Sequence, residues 1–90
     1  MNILVRNKAY EDIERIYAWI AGDNIRAARL AIESIFKAME HLAEFPFLGR
    51  EGSVGNTREW IVRGLPYIIV YRVHAGKLIV DAVFHAAQNR

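Results

Sequence analysis

The run Tyr67-Ile68-Ile69-Val70-Tyr71-Arg72-Val73-His74 decides how the rest of the chain folds. β-Branched and aromatic residues fill it, and both of its alternating faces are apolar, with Ile68 and Val70 opposite Tyr67, Ile69 and Tyr71. A strand apolar on both faces belongs in the middle of a sheet, covered on both sides for part of its length. Outward from it, Arg58 to Arg63 and Leu78 to His85 share its composition, separated from it by Gly64 to Pro66 and by Ala75 and Gly76. Consecutive antiparallel strands are the simplest arrangement. Before them, Pro46 to Thr57 holds Gly49, Gly52 and Gly55 with Ser53 and Asn56, which reads as a loop.

The first half changes period. Ala9, Ile13, Ile16, Tyr17 and Ile20 fall on one helical stripe, with Asn7 before it as an N-cap and Gly22 as a stop. Asp23 and Asn24 offer a second N-cap, and Ala28, Ile32, Ile35, Met39 and Leu42 repeat the stripe until Phe45, where Pro46 disfavours more helix. Met1 to Arg6, with Ile3, Leu4 and Val5, reads as a short leading strand. The expected architecture is α+β: an N-terminal strand and a two-helix antiparallel hairpin packed on a mainly antiparallel sheet of three to four strands.

Ninety residues, 53% of them hydrophobic, suit a single domain spanning residues 1–90. The absence of cysteine excludes disulfides, thiolate metal sites and thiol nucleophiles, and makes a cytoplasmic protein the expectation. No run is long and apolar enough for a membrane span, and Met1 to Arg6 is too short and polar for a signal sequence. The glycines show no phosphate-binding spacing and no His, Asp and Glu grouping suggests a metal, so neither metal nor cofactor is expected. Net charge is only +2, but residues 1–45 carry six basic and seven acidic side chains (6 − 7 = −1) and residues 46–90 six and three (6 − 3 = +3). An anionic partner would meet the second half.

An ordered series runs through the chain: Ala9, Asp12, Ile13 and Ile16; Asn24, Ala27 and Ala28; Leu42, Phe45-Pro46 and Gly49-Arg50; Thr57, Arg58 and Glu59; Tyr67 to Arg72; Val83 and His85. Over nearly its whole length the chain resembles the ParE toxins of the RelE/ParE superfamily. The resemblance implies a small bacterial toxin of a toxin-antitoxin system, of the plasmid-stabilising kind, that inhibits DNA gyrase by binding and is neutralised by a ParD-like antitoxin. It implies no direct sequence-specific contact with nucleic acid. The RelE-like branch of the superfamily instead cleaves messenger RNA on the ribosome, and fold alone does not choose between the two.

The site residues bear on the choice. Cleavage through a 2′-hydroxyl needs a base, an acid and cations for the developing phosphorane charge. Where RelE-like nucleases carry two lysines on the first middle strand, this chain has Glu59 and Ile61, and where they carry an arginine beside the second strand's tyrosine it has Ile68. No catalytic residue is therefore expected. In the alternative, ribosome-dependent endonuclease reading, His85, with Arg63 as the neighbouring cation, would be catalytic. Arg58, Arg63, Arg72, His85 and Arg90 are the expected target contacts, the arginines forming one cationic surface at the sheet end with Lys77 nearby; Asp81 can neutralise Arg72 or His74. Arg50 is expected to close the long loop on backbone carbonyls. Trp19 and Leu30 lie outside the core stripes and are the expected antitoxin contacts, covered by one amphipathic helix over the hairpin. ParE-like tails continue with basic residues after the histidine, whereas here Ala86, Ala87, Gln88 and Asn89 precede Arg90, which leaves a degenerate, non-toxic antitoxin binder as a third reading.

Overall fold

The computed structural model describes residues 1–87. Its sheet is built around the strand read first. The elements run β1 (Asn2–Val5), α1 (Asn7–Ala21), α2 (Ile25–Glu44), β2 (Arg50–Glu51), β3 (Arg58–Ile61), β4 (Tyr67–His74) and β5 (Lys77–His85). The sheet order is β1-β5-β4-β3-β2. β4 occupies the centre, and Tyr67 through Tyr71 are buried without interruption. β3, β4 and β5 are antiparallel neighbours, the last two joined by Ala75 and Gly76 at positive φ (52° and 73°), as a two-residue hairpin of right-handed twist requires.

Three strands depart from the sequence reading. β1 pairs parallel to β5, from Asn2 opposite Lys77 to Val5 opposite Val80, because the whole hairpin and sheet intervene and return the chain to β1's side. The loop contributes β2, two residues paired with β3, which makes the sheet five-stranded and mixed. β3 also ends at Ile61 rather than at Arg63, since Arg63 enters the turn.

The helices cover one face of the sheet. Ala9, Ile13 and Ile16 of α1 and Ile35, Met39 and Leu42 of α2 join Val62, Tyr67, Ile69, Tyr71, Leu78, Val80 and Val83 in one core. Asn24 caps α2 as its residue type predicts, accepting the Ala27 N–H at 3.0 Å. Asn7 does not cap α1. Arg6 stands at that position without a side-chain capping bond, because a guanidinium offers no acceptor; its N–H serves the Val80 carbonyl and its own carbonyl takes the Tyr10 N–H, so strand passes directly into helix. Tyr17, expected in α1's buried stripe, is 38% exposed, and Asp12 is buried in that stripe at 4%.

Candidate functional site

The four expected target contacts among the described residues do not form one surface. β3 and β4 run antiparallel, with Arg58 opposite Tyr71 and Ile61 opposite Ile68, so Arg58 and Arg72 lie toward one end of the sheet. Arg63, in the β3–β4 turn, and His85, opposite Tyr67, lie toward the other. Arg90 lies outside the described residues. The single cationic surface read from the sequence is thus two regions, separated by the length of β3.

At the first end, side chains fold the loop down. The buried Tyr71 hydroxyl donates to the Pro46 carbonyl at 2.8 Å and accepts the Gly49 N–H at 2.9 Å. Burial raises the Tyr71 pKa above the ordinary tyrosine value, opposed by the Gly49 bond and by the nearby Arg58 charge. Arg58 donates to the Gly49 carbonyl at 2.8 Å and to the Phe47 carbonyl at 3.4 Å, with its guanidinium 5.1 Å from the Phe47 ring centroid. Carbonyl bonding was expected of Arg50. Arg50 instead pairs with Glu59 at 3.0 Å, because Arg50 and Glu59 are register partners across β2 and β3 and share a face. Gly49 permits this closure: a Cβ there would stand 2.5 Å from the Tyr71 hydroxyl and 2.9 Å from the Glu59 carbonyl. Arg72 pairs with Asp81 at 3.0 Å, where β5 has one residue more than β4 between Val70 and Tyr71. A shallow depression of about 520 Å³ remains between the loop and Arg58, Arg72 and His74.

At the second end, β1 stops at Val5 and the chain turns into α1, leaving the far part of β5 without that neighbour strand. The Asp12 carboxylate takes the place of a strand carbonyl: its Oδ2 accepts the Val83 N–H at 3.0 Å. Its Oδ1 is shared by Lys8 and by Arg15, the latter at 3.4 Å. Lys8, Asp12, Arg15 and Trp19 follow one another at spacings of four, three and four, which sets all four on one flank of α1. That flank and the end of β5 enclose a notch of about 420 Å³, with Trp19 and Arg15 on one side and Phe84 and His85 on the other. His85 meets Tyr67 edge-on with centroids 5.5 Å apart, and its Nδ1 accepts the Ala87 N–H at 3.0 Å.

Trp19 (80% exposed) and Leu30 (55%) are both exposed, as their positions off the core stripes implied. Trp19 borders the notch, and Leu30 lies on α2 away from the buried Ala28, Ala31 and Ile35. Asp12, Lys8, Arg15, Gly49 and Tyr71 are organising residues that the sequence reading did not single out for a role. The i, i+4 and i, i+3 spacings around Asp12 were the available signal for the first three. At the Arg63 and His85 end, where β3 stops, Ile61 and Ile68 are register partners across β3 and β4, and two residues back Glu59 carries the ion pair to Arg50. Among the described residues no three carboxylate, imidazole or thiol groups gather as a metal site.

Three comparisons agree with this architecture. A family model described as "ParE toxin of type II toxin-antitoxin system, parDE" matches residues 3–90. A protein of Sinorhizobium fredii (strain NBRC 101917 / NGR234), named "Putative toxin Y4kP", is 37% identical over 82 residues, covering 91% of this chain and 84% of that protein. A solved structure titled "Chromosomal ParDE TA system from P. aeruginosa" superposes with a TM-score of 0.83 over 94% of this chain and 95% of that one; at 19% identity it speaks for the fold. With the family match running from β1 to the last residue, the chain belongs to the ParE toxins of type II toxin-antitoxin systems.

Proposed function

We propose that this toxin acts in the cytoplasm, as one domain, by binding DNA gyrase and arresting it on cleaved DNA, without bond-breaking chemistry of its own, and that a ParD-like antitoxin neutralises it. The observation that carries the reading is the Ile61–Ile68 pair between the two middle strands at the end of β3, with Glu59 tied to Arg50 two residues back. Isoleucine transfers no proton and stabilises no phosphorane, and an ion-paired carboxylate brings the wrong charge to a scissile phosphate. The His85 Nδ1 lone pair is engaged by the Ala87 N–H, which favours a positioning role for the ring over proton transfer at that nitrogen.

The target contacts in this reading form two clusters, Arg58 with Arg72 and Arg63 with His85, with Arg90 following in the tail. A target touching both spans the sheet. In this reading the antitoxin covers the exposed Trp19 and Leu30 with one amphipathic helix lying over the hairpin.

Purified toxin is assayed on gyrase supercoiling and, separately, on messages under translation. Loss of supercoiling with accumulated cleavage complexes is the expected result. Cuts at codon positions with gyrase unaffected would overturn the proposal. His85→Ala is expected to leave gyrase inhibition intact or weakened; in the nuclease alternative it abolishes activity. A protein that folds and binds antitoxin but does neither is the degenerate member.

A further inference from the structure

The α1 side of the notch has a composition that the gyrase reading does not use. Lys8, Arg15 and Trp19 stand on its α1 flank, and the one acid among them, Asp12, is 4% exposed, with an oxygen committed to the Val83 N–H. Lys8 and Arg15 are 63% and 72% exposed and share that single carboxylate, so the flank presents one positive charge in excess. Trp19 sits at the rim with four-fifths of its surface in water. The end of β5 at Phe84 and His85 forms the other wall, with His85 on the helix-facing side of the strand that Val83 shares and the Phe84 side chain on the opposite face.

We propose that this notch binds a nucleotide unit, a planar base joined to a phosphate, without regard to base identity. The volume of about 420 Å³ lies within the ordinary range of small-ligand sites. Arg15 stands one helical turn, about 6 Å, from Trp19, which suits a base on the indole with its own phosphate on the guanidinium. Lys8 lies about two turns further along the same flank, within reach of a following phosphate. Stacking on an aromatic face tolerates every base, because every base has a π-face. An acidic peptide would satisfy the cations and leave the rings unused. The two sources of this ligand are a free mononucleotide and the end of a single strand. The proposal stands apart from the gyrase reading, and its test contains no topoisomerase.

The test is fluorescence anisotropy of a labelled, 5′-phosphorylated oligothymidylate of about eight nucleotides titrated with the full chain. Saturable binding is expected, with about ten-fold loss in Trp19→Ala and retention in Trp19→Phe. Lys8→Ala and Arg15→Ala each weaken binding several-fold and flatten its dependence on salt. Lys37→Ala removes the same charge from α2 and is expected to change nothing. Melting curves confirm that each variant folds. Competition by thymidine monophosphate at matched phosphate concentration assigns the free nucleotide as ligand, and failure to compete assigns the strand end. The proposal is overturned by an absence of binding, by equal affinity for Trp19→Ala, by equal loss in Lys37→Ala, or by displacement with polyglutamate as effective as with unlabelled oligonucleotide.

Discussion

The two ends of the sheet use cations for opposite purposes. Beside β2, Arg58 spends its guanidinium on the carbonyls of Phe47 and Gly49, and Arg72 spends its own on Asp81. Beside the end of β5, Lys8 and Arg15 share one carboxylate at the rim of an open notch. At the first end Arg58 is held in place by the loop carbonyls it bonds, and Arg72 by the carboxylate opposite it on β5. At the second the helix is already held by the core, and one charge in excess of the shared carboxylate stands exposed. A cation's place in a sequence does not distinguish these cases; its acceptors do.

The largest way to break the first end is Gly49→Ala. The new methyl meets the Tyr71 hydroxyl and the Glu59 carbonyl at once, so the loop must lift and both Tyr71 bonds are lost. A loss of about 3 kcal/mol in denaturant-melt stability is expected. Asp12→Ala breaks the second end by leaving the buried Val83 N–H without an acceptor, at about 2 kcal/mol. Faster amide exchange at Val83 than at Val80 would locate that damage. Asp12→Asn keeps a carbonyl oxygen for Val83 and is expected to cost less.

Tyr71→Phe sharpens the comparison, because it removes the hydroxyl bonds without adding volume, at about 1.5 kcal/mol at neutral pH. Its pH dependence has a definite sign. Burial favours the neutral phenol, so the folded protein holds the Tyr71 proton above the pH at which the unfolded chain releases it, ordinarily 10.0. Stability from this group is complete below that pH and is lost as pH rises beyond it. The stability difference between Tyr71→Phe and the parent protein therefore narrows in alkaline melts. Arg72→Ala is the smallest effect: its pair with Asp81 is partly solvated, and a change under about 1 kcal/mol is expected.

Much of the fold was legible from residue types. Asn24 began α2 where a capping side chain should, Pro46 marked its end, and the run Tyr67 to His74 took the central place that its two apolar faces demanded. Asn7 misled because capping propensity is local, whereas Arg6 was already committed to a ladder with residues more than seventy positions away. β2 was illegible because two residues in a glycine-rich loop carry no period. Among the site residues, the exposure of Trp19 and Leu30 followed from the helical period, but the notch that Trp19 borders did not, since it depends on which flank of α1 meets the sheet.

The sequence by itself determined the elements, the core stripes and the isoleucines at Ile61 and Ile68, because period and side-chain chemistry are properties of neighbours in the chain. Only the tertiary structure decided that Arg58 and Arg72 lie at the opposite end of the sheet from Arg63 and His85, and that Trp19 meets His85 across one notch. Strand register and the parallel return of β1 set those distances, and both are fixed by contacts between residues far apart in the chain.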